Sequence, residues 1–276
     1  MCGIVGITST DDSVSDTLSG LQALEYRGYD SAGIACSNDN NIHYQKSIGK
    51  ISNLIHQLNN KQFEGKTTIA HTRWATHGKP HHLNAHPFVK ENCALVHNGI
   101  IENYDELINS FSVDRNNLES ETDTEVIAEL YSKLLIKYTP IEALMNLFDK
   151  IEGTFALAFL VKGSSSIYAA RKGSPLVLGL SNNSKALSSD LLGLPESANQ
   201  TIFLEENDIV EINNSSFSIF NTKGKEVERE IHSHSSQADF NTKGNFKHFM
   251  QKEIHHQPIS IEDTVLNYCD NQYLTP

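Results

Sequence analysis

A run of short strand patterns in the carboxyl-terminal half limits the possible fold more than any other feature. Apolar segments alternate there with turn-forming residues, which predicts strands at 154–162, 166–171, 176–180, 201–204, 208–213 and 216–221. Helical spacing of apolar residues predicts helices at 14–24, 48–58, 126–134 and 141–148, and further strands are expected at 4–8, 33–36, 42–45, 67–71 and 93–97. Many short strands with a few helices favour an α+β sandwich.

The charge balance excludes two classes of partner. The chain of 276 residues carries 34 acidic and 22 basic side chains, a net charge of −12. Such a chain repels phosphate backbones and anionic lipid surfaces, so we expect neither nucleic-acid nor membrane binding. Cysteine occurs only at positions 2, 36, 93 and 269, without metal-ligand spacing and without the density of a secreted scaffold. With no signal-like segment at the start, these features predict a cytoplasmic protein.

The composition changes near residue 221, where polar residues begin to dominate. We therefore expect one catalytic domain over residues 1–225. Residues 226–276 are expected to be a linker with a short helix built on Phe246, Phe249, Met250 and Ile254.

Cys2 is the first candidate for chemistry because methionine is readily removed before a small second residue. Removal of Met1 leaves a thiol and a free α-amine on one residue, with pKa values of about 8.5 and 7.7–8.0. A proton then passes between them easily, so nucleophile and base come from one residue. The alternative is that Cys2 is an ordinary small buried residue.

Two further groups can serve a reaction on an amino acid. Arg73 offers a planar fork for a carboxylate, and Asp123 can face an ammonium group, although aspartate at a helix start is also favoured for capping. The residues Thr122-Asp123-Thr124-Glu125 have the form of a capping box. Asn98 and Gly99, expected at the end of the strand 93–97, can bind a developing oxyanion or can form a plain hairpin turn. The histidine spacing does not support a metal site, and no cofactor is expected.

Several segments, taken together, are similar to one family. They are residues 2–6 (CGIVG), 25–33 (EYRGYDSAG), 71–78 (HTRWATHG), 84–87 (NAHP), 96–103 (VHNGIIEN) and 120–125 (SETDTE). This combination resembles the glutaminase domain of the glutamine–fructose-6-phosphate aminotransferase family, class II amidotransferases with an N-terminal nucleophile. The resemblance covers residues 1–240, and residues 249–254 (FMQKEI) look like the segment that leads into the sugar-isomerase half of those enzymes.

The resemblance implies a fold and a set of roles. The fold is the N-terminal-nucleophile hydrolase fold, a four-layer αββα sandwich of two antiparallel sheets. Cys2 would be the nucleophile, with Asn98 and Gly99 as the oxyanion hole. The other implied roles are clamps on the glutamine carboxylate and ammonium (Arg73 and Asp123), pocket lining (Thr76 and His77), a gate to an ammonia channel (Trp74) and ordering of the Cys2 region (Arg27).

The expected reaction is hydrolysis of L-glutamine to L-glutamate and ammonia, as one half of amino-sugar synthesis from fructose 6-phosphate. The isomerase half is expected on a separate chain, on a missing part of a longer protein, or nowhere if the product only hydrolyses glutamine. A different N-terminal-nucleophile amide hydrolase and a non-catalytic glutamine-binding regulator remain alternatives.

Overall fold

The computed structural model describes residues 2–38, 40–59, 63–75, 80–111, 113–233, 246–248, 250–255, 257–258, 261, 269–270 and 273–274. The chain forms two compact units, Met1–Ser235 and Ser236–Pro276. In the second unit, residues 250–255 are helical, and the strands Cys269–Asp270 and Tyr273–Leu274 pair in antiparallel fashion. Every helix in the described ranges is too short or too polar to span a lipid bilayer.

The first unit contains two sheets. Its strands are β1 (Gly3–Ser9), β2 (Ser31–Asn38), β3 (Asn41–Ile48), β4 (Thr67–Arg73), β5 (Phe88–Val89), β6 (Cys93–Ile101), β7 (Gly153–Val161), β8 (Ile167–Lys172), β9 (Val177–Leu180), β10 (Ser184–Ser188), β11 (Gln200–Phe203), β12 (Ile209–Ile212), β13 (Phe217–Phe220) and β14 (His232–Ser233). One sheet has the order β14-β11-β9-β10-β1-β4-β2-β3, and the other β13-β12-β8-β7-β6-β5. Each registered strand pair of these sheets is antiparallel.

Helices cover the outer faces of both sheets. They are α1 (Val14–Ala23), α2 (Ile51–Leu58), α3 (Tyr104–Ser110), α4 (Asp123–Leu134) and α5 (Pro140–Phe148). One core packs α1 and α2 on the eight-stranded sheet, a second joins the facing sheets, and a third packs α3, α4 and α5 on the six-stranded sheet. Three cores between four layers give an αββα sandwich, which confirms the expected fold class.

The order of strands brings the start of the chain to the middle of the molecule. β1 pairs with β10 on one side and with β4 on the other, so Gly3 lies opposite Thr72. Cys2 therefore precedes a central strand whose backbone is fixed on both sides. A side chain in that place has little freedom, which favours a defined position for the thiol.

Most predicted elements are present, and some were missed. The expected helix at 48–58 begins only at Ile51, because Ile48 ends β3. Sequence periodicity did not predict β5, β10, β14 or α3. The first and third of these have only two residues each, which is too short for a period to show.

Two local predictions were wrong. The strand expected at 93–97 does not end before Asn98, because β6 continues to Ile101 and pairs with β7 along that whole length, which also excludes the alternative hairpin turn at Asn98-Gly99. Thr122 and Glu125 do not form a capping box, since the Glu125 carboxylate accepts the N–H groups of Glu119 and Ser120 instead.

The described residues 226–233 belong to the first compact unit. The Arg229 guanidinium donates to both carboxylate oxygens of the buried Asp208, at 3.0 and 2.7 Å. β14 then adds to the edge of the larger sheet through β11. Residues 226–233 are thus held by an ion pair and by strand pairing, although the sequence there is polar.

Candidate active site

The Cys2 thiol lies against the end of β4. Its Sγ atom is 3.3 Å from the backbone nitrogen of Trp74, whose N–H donates to it. Burial raises the pKa of the thiol, while the Trp74 hydrogen bond and the charge of Arg73 act in the opposite direction. Since the net shift is upward, the resting side chain is a protonated thiol at neutral pH and needs a base to become a nucleophile.

The turn at residues 28–30 fixes the backbone that meets this thiol. A Cβ atom on Gly28 would stand 2.7 Å from the carbonyl carbon of Arg73 and from the nitrogen of Trp74, so only glycine permits this approach. The Asp30 carboxylate accepts the N–H of Ala75 at 2.8 Å, and the Asp30 N–H donates to the Arg73 carbonyl at 3.1 Å. The turn therefore aims the Trp74 N–H at Cys2.

Asn98 and Gly99 approach Cys2 from the other sheet. The Asn98 side-chain nitrogen donates to the Cys2 carbonyl at 3.1 Å, and its oxygen lies 3.0 Å from Nε2 of His71. Gly99 has a φ of 125°, and a Cβ atom there would lie 1.9 Å from the Thr154 carbonyl oxygen. The sequence prediction that these two residues lie near Cys2 thus agrees with the geometry, although they lie within a strand.

Asp123 is the first residue of α4, but its carboxylate does not cap that helix. One oxygen accepts the N–H of Ile101, at the end of β6, at 2.7 Å, and the other accepts the Thr124 hydroxyl at 3.3 Å. These bonds hold the carboxylate beside the pocket. Burial lowers the pKa of Arg73, and the negative charges of Asp30 and Asp123 oppose that shift.

A cavity of about 120 Å³ joins these groups. Among its lining residues are five of the expected site residues: Cys2, Arg73, Trp74, Gly99 and Asp123. The cavity places a thiol near one end of a strand and charges of both signs around it, an arrangement suited to a small zwitterion. Thr76 and His77 lie outside the described residues.

Arg27 does not line this cavity. Its guanidinium pairs with the Asp190 carboxylate and donates to the Tyr26 hydroxyl at 3.2 Å. The residue beside Asp190, Ser189, accepts the Ile4 N–H through its hydroxyl at 3.0 Å. Arg27 therefore contacts a segment that is hydrogen-bonded to Ile4 of β1, two residues after Cys2. Its effect on the pocket is indirect.

Sequence reasoning missed several residues around the cavity. Thr124, Tyr104, Ile100, Ile101 and Glu121 also line it, as do His86 and His97. His97 directly precedes Asn98 in β6, and that position was the available signal in the sequence. His86 lies outside the strands, and the sequence gives no comparable signal for it. In the described part of the chain, no group of three or more His, Cys, Asp or Glu side chains is arranged to hold a metal ion.

Comparisons with known proteins show similarity to glutamine amidotransferases. A glutamine amidotransferase domain family matches residues 71–196. The glutamine–fructose-6-phosphate aminotransferase of Photorhabdus laumondii is 43% identical over 96% of this chain and 44% of its own length. The enzyme of the same name from Mesorhizobium japonicum is 41% identical over 98% of this chain and 45% of its own length. The chain thus spans less than half the length of these relatives.

A solved structure shows the same fold. Glutamine phosphoribosylpyrophosphate amidotransferase from B. subtilis superposes with a TM-score of 0.68 at 23% identity, over 80% of this chain and 49% of that one. This likeness confirms the expected N-terminal-nucleophile hydrolase fold. Residues 71–196 thus match a glutamine amidotransferase domain, and the chain over nearly its whole length is similar to part of the glutamine–fructose-6-phosphate aminotransferases.

Proposed function

We propose that this domain hydrolyses L-glutamine to L-glutamate and ammonia through a thioester on Cys2. One observation carries the proposal: the Cys2 side chain and Gly99 line the same cavity as Arg73 and Asp123, and the Asn98 amide donates to the Cys2 backbone. A nucleophile, two oxyanion donors and a clamp for an amino acid are the groups that this reaction needs.

The first step uses the free α-amine that Cys2 has after removal of Met1. The amine takes the thiol proton, and sulfur bonds to the side-chain amide carbon of glutamine. The Asn98 amide and the Gly99 N–H donate to the resulting oxyanion. The carbon–nitrogen bond then breaks, and the amine returns the proton to the departing ammonia. Water attacks the γ-glutamyl thioester in the same manner and releases glutamate and the thiol.

Arg73 and Asp123 supply the selection for glutamine. The guanidinium binds the α-carboxylate, and the carboxylate of Asp123 binds the α-ammonium group. A substrate without either charge leaves a buried charge unpaired, which costs several kcal/mol. Thr76 and His77 complete the pocket lining in this proposal, and Arg27 orders the Cys2 segment.

The wider role follows from the relatives. We place residues 1–225 in the glutaminase domain and residues 226–276 in a connection to a sugar isomerase, on the same or a separate chain. Ammonia would then be transferred to fructose 6-phosphate in the cytoplasm, for glucosamine 6-phosphate synthesis. Trp74, which is 43% exposed at the cavity, would be the gate on the path of ammonia.

Glutamate release and mass spectrometry test the proposal together. The chain with Met1 removed should release glutamate from glutamine, and a glutamine-like diazoketone should add once, at Cys2. Cys2→Ala should abolish both. Cys36→Ala should change neither, because Cys36 is buried and its pKa is raised to about 12.

The alternatives predict different outcomes. Turnover of N-acyl substrates without a need for Arg73 would indicate a different amide hydrolase. Glutamine binding without labelling of Cys2 would indicate a regulator. Glutamate release by the Cys2→Ala chain would refute the thioester mechanism.

A further inference from the structure

Three buried histidines stand directly behind the cavity, and the proposed reaction gives them no role. His71, His86 and His97 are 1%, 5% and 3% exposed, and the rings of His71 and His86 are 4.0 Å apart. Burial lowers the pKa of all three, that of His71 to about 3. Each imidazole is therefore neutral at physiological pH, with one N–H donor and one acceptor nitrogen.

The contacts of His71 determine which of its nitrogens carries the proton. Nε2 lies 3.0 Å from the His97 carbonyl oxygen and 3.0 Å from the Asn98 side-chain oxygen. The Asn98 amide must have this orientation, because its other end faces the Cys2 carbonyl, which can only accept. Both neighbours of Nε2 are thus acceptors, so the proton is on Nε2. His71 thereby holds the Asn98 NH₂ group towards Cys2.

The Thr124 hydroxyl determines the protons of the other two histidines. Its oxygen lies 2.9 Å from Nδ1 of His97, 3.2 Å from Nε2 of His86 and 3.3 Å from the Asp123 carboxylate. A hydroxyl has one proton and two lone pairs, and a carboxylate can only accept. Thr124 therefore donates to Asp123 and accepts from both rings, which places protons on Nδ1 of His97 and Nε2 of His86.

The remaining ring nitrogens agree with this assignment. Nδ1 of His71, Nδ1 of His86 and Nε2 of His97 are buried without a hydrogen-bond partner in the described part of the chain. In the assignment above, each of these nitrogens is unprotonated and needs no acceptor. The opposite tautomer at any of the three rings would bury an N–H without an acceptor. It would also remove the ring N–H that donates to the neighbouring oxygen. One proton arrangement therefore satisfies the whole cluster.

We propose that His71, His86 and His97 form a neutral positioning layer for the reaction, and this proposal rests on the function given above for Asn98 and Asp123. His71 orients the Asn98 amide towards the oxyanion. His86 and His97, acting through Thr124, orient the Asp123 carboxylate towards the substrate ammonium. None of the three is a catalytic residue. The layer contributes direction, because one proton arrangement satisfies its hydrogen bonds.

Kinetics separate the role of His71, which contacts Asn98, from that of His86 and His97, which act on Asp123 through Thr124. His71→Leu removes the donor to Asn98 and should lower kcat for glutamine on the order of 10–100-fold, with KM within about 3-fold. His71→Gln keeps an amide N–H within reach and should recover most of kcat. Thr124→Val removes the hydroxyl that links the rings to Asp123, so it should raise KM about 10-fold or more and change kcat little.

Thr68→Val is the matched control. Thr68 is a buried residue of β4, like His71, but its hydroxyl contacts Ser13 and Thr17 and lies away from the cavity. This variant should lower stability without changing kcat or KM. The proposal is overturned if His71→Leu and Thr124→Val change kcat and KM alike, in proportion to their loss of melting temperature.

A second measurement does not depend on glutamine turnover. Long-range ¹H–¹⁵N spectra of the full chain, labelled at histidine, should show His71 and His86 protonated on Nε2 and His97 on Nδ1, unchanged from pH 7 to 5. Another tautomer at any of them, or titration near pH 6.5, would overturn the layer. If the chain shows the assigned tautomers but does not hydrolyse glutamine, the proposed function is refuted. The positioning of Asn98 and Asp123 by the histidines would still stand.

Discussion

Gly99 shows how much a single residue contributes to this site. Its φ of 125° lies in the region that favours glycine, and the space for a side chain is filled by the Thr154 carbonyl of β7. The same close pairing of β6 with β7 presents the Gly99 backbone to the cavity. The position therefore requires both a positive φ and the absence of a Cβ atom. Both requirements place the Gly99 N–H for its proposed role as an oxyanion donor.

Substitution of Gly99 by alanine separates these two demands. In Gly99→Ala the added Cβ atom would meet the Thr154 oxygen at 1.9 Å, so β6 must move. We expect a loss of unfolding free energy of more than about 2 kcal/mol and loss of glutamate release. Gly224→Ala is the control: its φ is 73°, but its nearest contact is Met145 Sδ at 3.5 Å. It should cost only about 1 kcal/mol in urea unfolding. Equal costs would contradict the steric argument.

Helices α4 and α5 show that the same sequence pattern can serve two different structures. Each begins directly after the Thr of a Thr-x-x-Glu sequence, and the Glu is its third residue. In α5 the pattern forms a capping box, since the Glu142 carboxylate accepts the Thr139 N–H at 3.0 Å. In α4 the matching Glu125 bonds instead to Lys90 at 2.9 Å and to the backbone of Glu119 and Ser120. Glu125 therefore fixes the loop that leads to Asp123 and to the cavity.

Replacing Glu125 or Glu142, each the third residue of its helix, should lower the free energy of unfolding by different amounts. Glu142→Ala removes an exposed cap and should lower stability only slightly. Glu125→Ala leaves Lys90 with only its weaker partner Glu129 and leaves two N–H groups without their acceptor, so we expect a larger cost of about 2–4 kcal/mol. Urea unfolding of the two variants gives both values. A Glu125→Ala chain as stable as Glu142→Ala would show that the bonds of Glu125 are not needed to hold the loop.

At the scale of the whole molecule, the site lies where the two sheets meet. The larger sheet supplies Cys2 and Arg73 at adjacent strand ends, and the smaller sheet supplies Asn98 and Gly99. The helix layer supplies Asp123. The groups come from the start of β1, the end of β4, β6 and α4, so their positions are fixed by strand pairing and by the cores.

Local patterns explain which parts of this arrangement were predictable. Strands such as β1 and β7 and helices such as α5 have enough residues for a period to show. The pairing order was not predictable, because β1 pairs with β10, far away in the chain. The same long-range pairing with β7 overrode the turn preference of Asn98-Gly99. The histidine layer was missed for the same reason, since it depends on contacts between residues far apart in the chain, from β4, β6, α4 and the segment before β5.

The same histidine layer should control the stability of the whole chain in acid. The pKa of each of the three rings is lowered in the folded state, that of His71 to about 3. Below about pH 6.5 the unfolded chain therefore binds protons that the folded chain does not, and the free energy of unfolding falls as pH falls. The stabilisation from each histidine is complete above about pH 6.5 and is lost as the pH falls to the pKa that the ring has in the folded state. The slope is about 1.4 kcal/mol per pH unit for each histidine.

Unfolding in urea at several values between pH 7 and 4.5 measures this slope. His71→Gln cannot take up the proton, so its free energy of unfolding should fall less steeply below pH 5.5, by about 1.4 kcal/mol per pH unit. Thr68→Val should keep the parent slope, because it weakens the same strand without removing a titrating group. If the curves of His71→Gln and the parent chain are parallel, His71 is protonated in the folded state, and the proton arrangement that orients Asn98 is wrong.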